Sequence, residues 1–429
     1  MMSLGAVIGA GYLLGAGAAI NAAGPAVMIS YALGGLVTLL VVALLAEMAA
    51  AMPAAGSFQF YVSFSLGGWA GFVTGCTYWL AFLIGPATEA IVAGEILHTW
   101  FPILPNWIYY LLIAALVMAV NAGGVLFFGE AEFWLAMIKA LGLVAFILVG
   151  LAALFSPAGW QISPGMATAW GGFAPAGLGG ILGAMMMVIF AYGGAEAIGM
   201  ASEESKRPDR DIPRSLIGSV LLIIIIYMVS TAVLVSVLPW NQAGISSSPY
   251  TDAFRLLLGP GAALAMNFVV LTAALSTIGM GVYATSRVLF AMARDGYFPK
   301  ALARIGKTGT PVYATGLWCL VLFLGAMAFY LFPDFAYLWL ASLSGFGFLF
   351  SWLMIALSQP GLRRMLEKSS PEKLVWRVPL FPHIQRLAVI LMAAILVAQV
   401  FLPSGRIVLL AGGAWIILAS LYYFAVLRR

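Results

Sequence analysis

The chain has 429 residues, of which 63% are hydrophobic and 8% charged, with a formal net charge of +5 and a mean hydropathy of +1.06. Soluble domains carry roughly a quarter charged residues, so this composition excludes a soluble enzyme or binding module and marks an integral membrane protein. The positive balance does not point to nucleic acid, because the basic residues gather on one side of the array of apolar segments.

At about 20 residues per crossing, the length accommodates about twelve helices. Apolar segments run over Ser3–Ala23, Ala26–Met52, Trp69–Leu97, Trp107–Asn121, Phe133–Phe155, Gly179–Ala201, Leu216–Leu238, Ala262–Ala291, Pro311–Leu331, Phe335–Leu357, Leu387–Leu402 and Ile407–Leu427. Glycine and proline punctuate many joins, among them Gly24-Pro25, Pro102, Pro105, Pro239, Pro260 and Pro403. The apolar run begins almost at Met1 with no basic leader, so it is not a signal peptide; either the chain is naturally short here or a cytoplasmic leader is missing. Between the second and third segments, Pro53–Gly68 mixes aromatics with Ser and Gln and is read as an interfacial helix or an ordinary packed loop. The polar stretch Gln359–Pro382 is expected to be a cytoplasmic linker.

Lys and Arg placement sets the orientation. With both termini cytoplasmic, 17 of the 20 basic residues fall in inner loops or the tail, including Arg207, Arg210, Arg214, Arg294, Lys300, Arg363 and Arg364. Only Arg255 and Arg406 fall outside, and Lys139 lies within a segment. Two cysteines, Cys76 and Cys319, and two histidines are too dispersed for a disulfide framework or a zinc site. No metal or cofactor is expected.

The first segment contains Ile8-Gly9-Ala10-Gly11, with four glycines between positions 9 and 17. That is a poor recipe for a straight helix. A backbone that leaves its helix in lipid must find other partners, so such breaks survive against protein or a watery cavity. The sixth segment carries a second break, Phe190-Ala191-Tyr192-Gly193-Gly194, followed by Glu196. Close packing of small residues accounts for either one alone. Their pairing in the first and sixth segments points to a transporter of inverted repeats. Helix N-termini at such breaks offer N–H groups to a carboxylate, and free carbonyls at the other half-helix accept from an ammonium. An α-amino acid is thereby matched at both ends by backbone.

Ionisable residues within segments are costly and are functional candidates. Lys139 lies about two turns from Glu132 and is read as buried rather than snorkelling; beside a proton-accessible cavity its ammonium could titrate or occupy the place of a coupling cation. Glu89 and Glu196 could line the same cavity or relay protons; hydrogen bonding to a neighbouring helix serves equally well for either. Glu47 and Glu95 lie nearer segment ends and are expected at the interface.

With these residues in view, the chain resembles amino acid permeases of the amino acid–polyamine–organocation superfamily, in the bacterial amino acid transporter branch. The resemblance spans the twelve segments and rests on Ile8–Gly15, Ala55-Gly56-Ser57-Phe58, Gly129–Trp134, Phe190–Gly199, Arg210–Arg214 and Asn267–Ser276. It implies a LeuT-type fold: a first repeat over residues 1–155, an inverted second over 179–357, a cytoplasmic linker over 358–386 and two peripheral helices over 387–429. It also implies a multi-pass protein of the cytoplasmic membrane that imports an amino acid with protons by alternating access. Substrate binding would fall to Ile8, Gly9, Ala10, Gly11, Phe190, Ala191, Tyr192, Gly193 and Gly194, and proton coupling to Lys139, Glu89 and Glu196. Cys76-Thr77 stands where a Trp-Asn pair is usual, a change that bears on substrate choice, and the usual N-terminal cytoplasmic segment is absent. Exchange of amino acids and carriage of polyamines or other organic cations remain open at this point. An intramembrane enzyme lacks an apparent nucleophile, metal or acid–base cluster, and a channel is a poorer match to paired half-helix sites.

Overall fold

A computed structural model describes residues 7–427, apart from 55, 123–124, 157–171, 206, 245–247, 307–309, 319, 321–326 and 328–332. Nine helices among the described residues are long and apolar enough to cross a membrane, and a tenth, Asn106–Asn121, is apolar but shorter. The expected segment Pro311–Leu331 lies largely outside the described residues.

The longest apolar stretch, Gly11–Ala51, has 41 residues and would measure about 60 Å as one helix, twice the hydrocarbon thickness. It is instead two crossings, as its contacts with the sixth apolar segment show. In the first part, α1 (Ala10–Leu13) and α2 (Gly15–Ala23) run against that segment from end to end: Gly11 meets Phe190, whereas Ala23 meets Gly180. After the turn at Gly24-Pro25, α3 (Val27–Ala51) runs in the opposite sense. Ser30 donates to the Ile181 carbonyl at 2.8 Å, Gly34 faces Val188 and Tyr192, and Leu45 faces Gly199. The first crossing is therefore antiparallel to the sixth, and the second parallel to it.

Two short helices lead into two long inner ones through the same device. α4 (Phe58–Leu66) precedes α5 (Gly68–Trp100), and Gly67 between them has φ 95°. Further on, α11 (Pro249–Leu258) precedes α12 (Pro260–Arg294), and Gly259 between them has φ 88°. A side chain is strained in that conformation, whereas glycine is not. The first of these short helices lies between Pro53 and Gly68, where the sequence leaves a helix and a packed loop both open. Between the two pairs lie α6 (Asn106–Ala122), α7 (Val125–Leu154), α8 (Gly177–Gly183), α9 (Met185–Tyr192), a 3-10 stretch Ala195–Glu204 and α10 (Pro208–Val237).

The chain closes with α13 (Pro333–Ser369), α14 (His383–Val400) and α15 (Pro403–Tyr422). The last two present Ile390, Val397, Leu410, Ile417 and Leu421 outward, each more than half exposed. Such a surface is an aggregation hazard in water and the ordinary face of a protein in lipid. The first, second, third, sixth, seventh, eighth and tenth apolar segments instead make the core, with Tyr12, Tyr31, Phe72, Tyr78, Tyr192, Tyr227 and Trp352 fully buried.

Two expectations are corrected. α13 runs through Pro360 to Ser369, so the first part of the expected linker is helical. Glu47 is buried, not interfacial. The two corrections have one cause: Glu47 accepts from Gln359 Nε2 at 2.6 Å, Arg363 Nη1 at 3.2 Å and the Val378 N–H at 2.6 Å. The polar residues that read as a linker are the partners of a buried carboxylate. Pairing of this kind is what lets a charge be buried at all.

Candidate functional site

In a continuous helix the Gly11 N–H would bond the Val7 carbonyl four residues earlier. Both groups are satisfied differently here. Gly11 N–H donates to Glu89 Oε1 of α5 at 2.8 Å, and the Val7 carbonyl accepts from the Tyr227 hydroxyl of α10 at 2.9 Å. Helical bonding restarts at Gly9, whose carbonyl accepts from the N–H groups of Tyr12 and Leu13 at 3.2 and 3.3 Å. The first break is therefore at Ile8-Gly9, with Ala10 and Gly11 in the opening turn of α1.

The second break follows α9. Gly193 turns to φ −57°, ψ 143°, and Gly194 takes φ 98°, which an L side chain rarely adopts. The Ala191 carbonyl, in the last turn of α9, has no continuing helix to bond it. It accepts from the same Tyr227 hydroxyl at 3.1 Å. The Gly194 N–H donates to Glu196 Oε1 at 3.2 Å, and Trp352 Nε1 of α13 donates to Glu196 Oε2 at 2.9 Å.

The two breaks face one another across a cavity of about 20 Å³ lined by Gly9, Gly11, Glu89, Phe190, Ala191, Gly193 and Thr277, with Phe82, Pro86 and Phe348. That volume suits about one water molecule; a larger solute needs the aromatic side chains to move. Close approach explains the glycines. A Cβ on Gly11 would sit 2.7 Å from the Phe190 ring, and one on Gly85 would sit 2.8 Å from its other edge. A Cβ on Gly9 would fall 2.8 Å from Glu89 Oε1.

Of the sequence-predicted binding residues, Gly9, Gly11, Phe190, Ala191 and Gly193 line this cavity. Ile8 is fully buried away from it, and Tyr192 turns to the Tyr31 carbonyl of α3 at 3.1 Å. Gly194 shapes the break without lining the cavity, and the Ala10 side chain lies outside the described residues. Of the coupling candidates, Glu89 lines the cavity, whereas Glu196 braces the second break from behind.

Lys139 is fully buried, which settles its position in favour of the protein interior over a reach to the lipid headgroups. Its ammonium donates to Ser276 Oγ of α12 at 2.7 Å, and Ser276 Oγ is short-bonded to Glu132 Oε1. Lys139 and Glu132, seven residues apart on α7, thus close on one hydroxyl of α12. The next residue, Thr277, lines the cavity, so this group abuts the first break. Glu132 and Ser276 were not among the expected site residues. A heptad spacing places Glu132 on the face of Lys139, a signal available in the sequence. Tyr227 carries no such signal. Among the described residues no group of three His, Cys, Asp or Glu side chains is placed to hold a metal.

A multi-pass membrane protein with two broken helices opposed across an inner cavity belongs to the solute carriers in architecture. The chain matches the Amino acid permease family over residues 1–427, and it belongs to that family. It is 36% identical to a Gamma-aminobutyric acid permease of Bacillus subtilis, over 96% of this chain and 88% of the relative. The Amino-acid permease RocE of the same organism is also 36% identical, over 100% of this chain and 93% of the relative. The Aromatic amino acid transport protein AroP of Escherichia coli K12 is 34% identical, over 99% and 93%. These relatives are named for transport, which makes this chain a transporter rather than an enzyme.

Proposed function

We propose that the chain imports an amino acid across the cytoplasmic membrane together with a proton, by alternating access in a twelve-helix fold of two inverted five-helix repeats. Support for the repeats comes from the antiparallel first and sixth crossings, each broken, and from the matching short helix, positive-φ glycine and long helix in each half. The gathering of basic residues in one set of loops supports cytoplasmic termini.

The observation that carries the reading is the Gly11 N–H held by Glu89. A solute carboxylate would be drawn to the N–H groups that begin the helix after the first break, and Glu89 holds one of them. Two ionised carboxylates on one donor repel. Solute binding therefore accompanies proton uptake by Glu89, which leaves the helix start to the solute. The solute ammonium then meets carbonyls of the second break, and Phe82, Phe190 and Phe348 close over the remainder. Lys139, tied through Ser276 to α12, holds the α7–α12 contact beside the first break and stands where a coupling cation would act.

A thermal-shift screen of the purified protein against the common amino acids, γ-aminobutyrate and polyamines identifies the solute, because a ligand that binds the folded state raises its apparent stability. Uptake of that solute into proteoliposomes then tests coupling. Accumulation that follows an inward proton gradient is expected. Stabilisation by polyamines alone, or transport that needs an internal amino acid and ignores pH, overturns the proposal.

A further inference from the structure

We infer that Tyr227 is a positioning residue that joins the two breaks, so that they keep one arrangement and open together. The inference rests on the paired breaks described above and adds to them a part that neither break contains. Its hydroxyl lies 2.9 Å from the Val7 carbonyl and 3.1 Å from the Ala191 carbonyl. A phenol has one proton to donate, so the two carbonyls share it. Each is the acceptor its own helix abandons at the break. A buried tyrosine hydroxyl needs some partner, and any backbone carbonyl of a neighbouring helix would serve; this one is aimed at the abandoned carbonyls of both breaks.

The ring has little freedom to choose otherwise. It stacks on Tyr12 with centroids 3.5 Å apart and planes 6° from parallel, and it meets Tyr31 and Tyr192 at 6.0 and 5.1 Å. Tyr12 is itself fixed, its hydroxyl meeting Ser230 at 2.6 Å, Thr231 at 2.9 Å, Tyr250 at 2.5 Å and the Tyr227 carbonyl at 3.0 Å. The α10 segment around Tyr227 thus anchors both the break and the first turn beyond it. Displacement of one break by a solute withdraws or redirects the shared proton and loosens the other.

The test is amide hydrogen exchange on the full chain in detergent or nanodiscs, without solute, comparing wild type with Tyr227→Phe. Exchange over residues 7–13 and over residues 190–195 should accelerate together, by about tenfold or more. p-Aminophenylalanine placed at position 227 restores the donor and should restore protection at both. Tyr12→Phe removes a hydroxyl from the same cluster without touching either break carbonyl, and should leave residues 190–195 unchanged. Acceleration at one break alone, no acceleration, or an equal response to Tyr12→Phe overturns the inference. If Tyr227→Phe does not yield folded protein, the wild type decides: under conditions where opening limits exchange, the two segments should open at one rate, and distinct rates refute the coupling. None of these readings needs transport, so their failure is separate from failure of the proposed function. A second readout uses uptake of γ-aminobutyrate or L-phenylalanine, whichever the wild type carries. There Tyr227→Phe should raise KM about tenfold with the maximal rate little changed, and an unchanged KM counts against positioning.

Discussion

The two breaks solve the same problem with different partners. At each, a glutamate accepts from the N–H that the helix abandons. At the second break that glutamate is Glu196, two residues along the same chain and clamped by Trp352. At the first it is Glu89, which comes from α5, 78 residues away. The N–H of the second break is therefore satisfied from within its own segment, whereas that of the first depends on a charged acceptor from another helix, and the Tyr227 hydroxyl serves a carbonyl of each. A change of protonation at Glu196 disturbs a local turn; the same change at Glu89 alters the contact between two crossings. The proposed proton coupling is assigned to the first break for that reason, and Lys139, Ser276 and Glu132 stand beside it rather than beside the second.

Substitutions can break this asymmetry. The largest effect is expected for Glu89→Ala, which leaves the Gly11 N–H without its acceptor and removes the titrating group. Gradient-driven uptake into proteoliposomes should fall by about 100-fold, the loss of one hydrogen bond to a charged group of 1.5–3 kcal/mol. Lys139→Ala should abolish accumulation against a gradient while retaining solute binding within about tenfold, measured by thermal shift; undiminished proton-driven uptake would remove Lys139 from the coupling. Glu196→Ala leaves two buried donors, the Gly194 N–H and Trp352 Nε1, unsatisfied. It should lower unfolding stability by about 1–3 kcal/mol in a denaturation series, with the pH dependence of uptake intact. Glu196→Gln keeps an acceptor and should change uptake by less than about threefold. A pH dependence lost with Glu196→Gln would reverse the roles of the two breaks.

Much of this architecture is legible in the sequence because lipid enforces it. Crossings need about 20 apolar residues, and a broken backbone needs glycine, so the segments and both breaks are visible as composition. Lys139 stands out because a charge there is costly. The partners are less visible. Tyr227 sits in an apolar run and resembles any core aromatic until the fold brings it between Val7 and Ala191. Ser276 is one serine among many until α12 meets α7. Glu47 misled for a related reason: position near the end of a crossing suggests exposure, but Gln359, Arg363 and Val378, more than 300 residues later, return to cover it. Local sequence reports what a segment needs, and contacts over long separations decide who supplies it.

The central claim is that Glu89 gives up its hold on the Gly11 N–H by taking a proton as the solute binds. Internal pH of proteoliposomes, recorded as the identified amino acid is added outside, tests it most directly by comparing wild type with Glu89→Gln. The glutamine side chain retains an acceptor for Gly11 but cannot titrate. The account predicts acidification in step with solute entry in the wild type, and solute entry without acidification in Glu89→Gln. Undiminished acidification by the variant would contradict it.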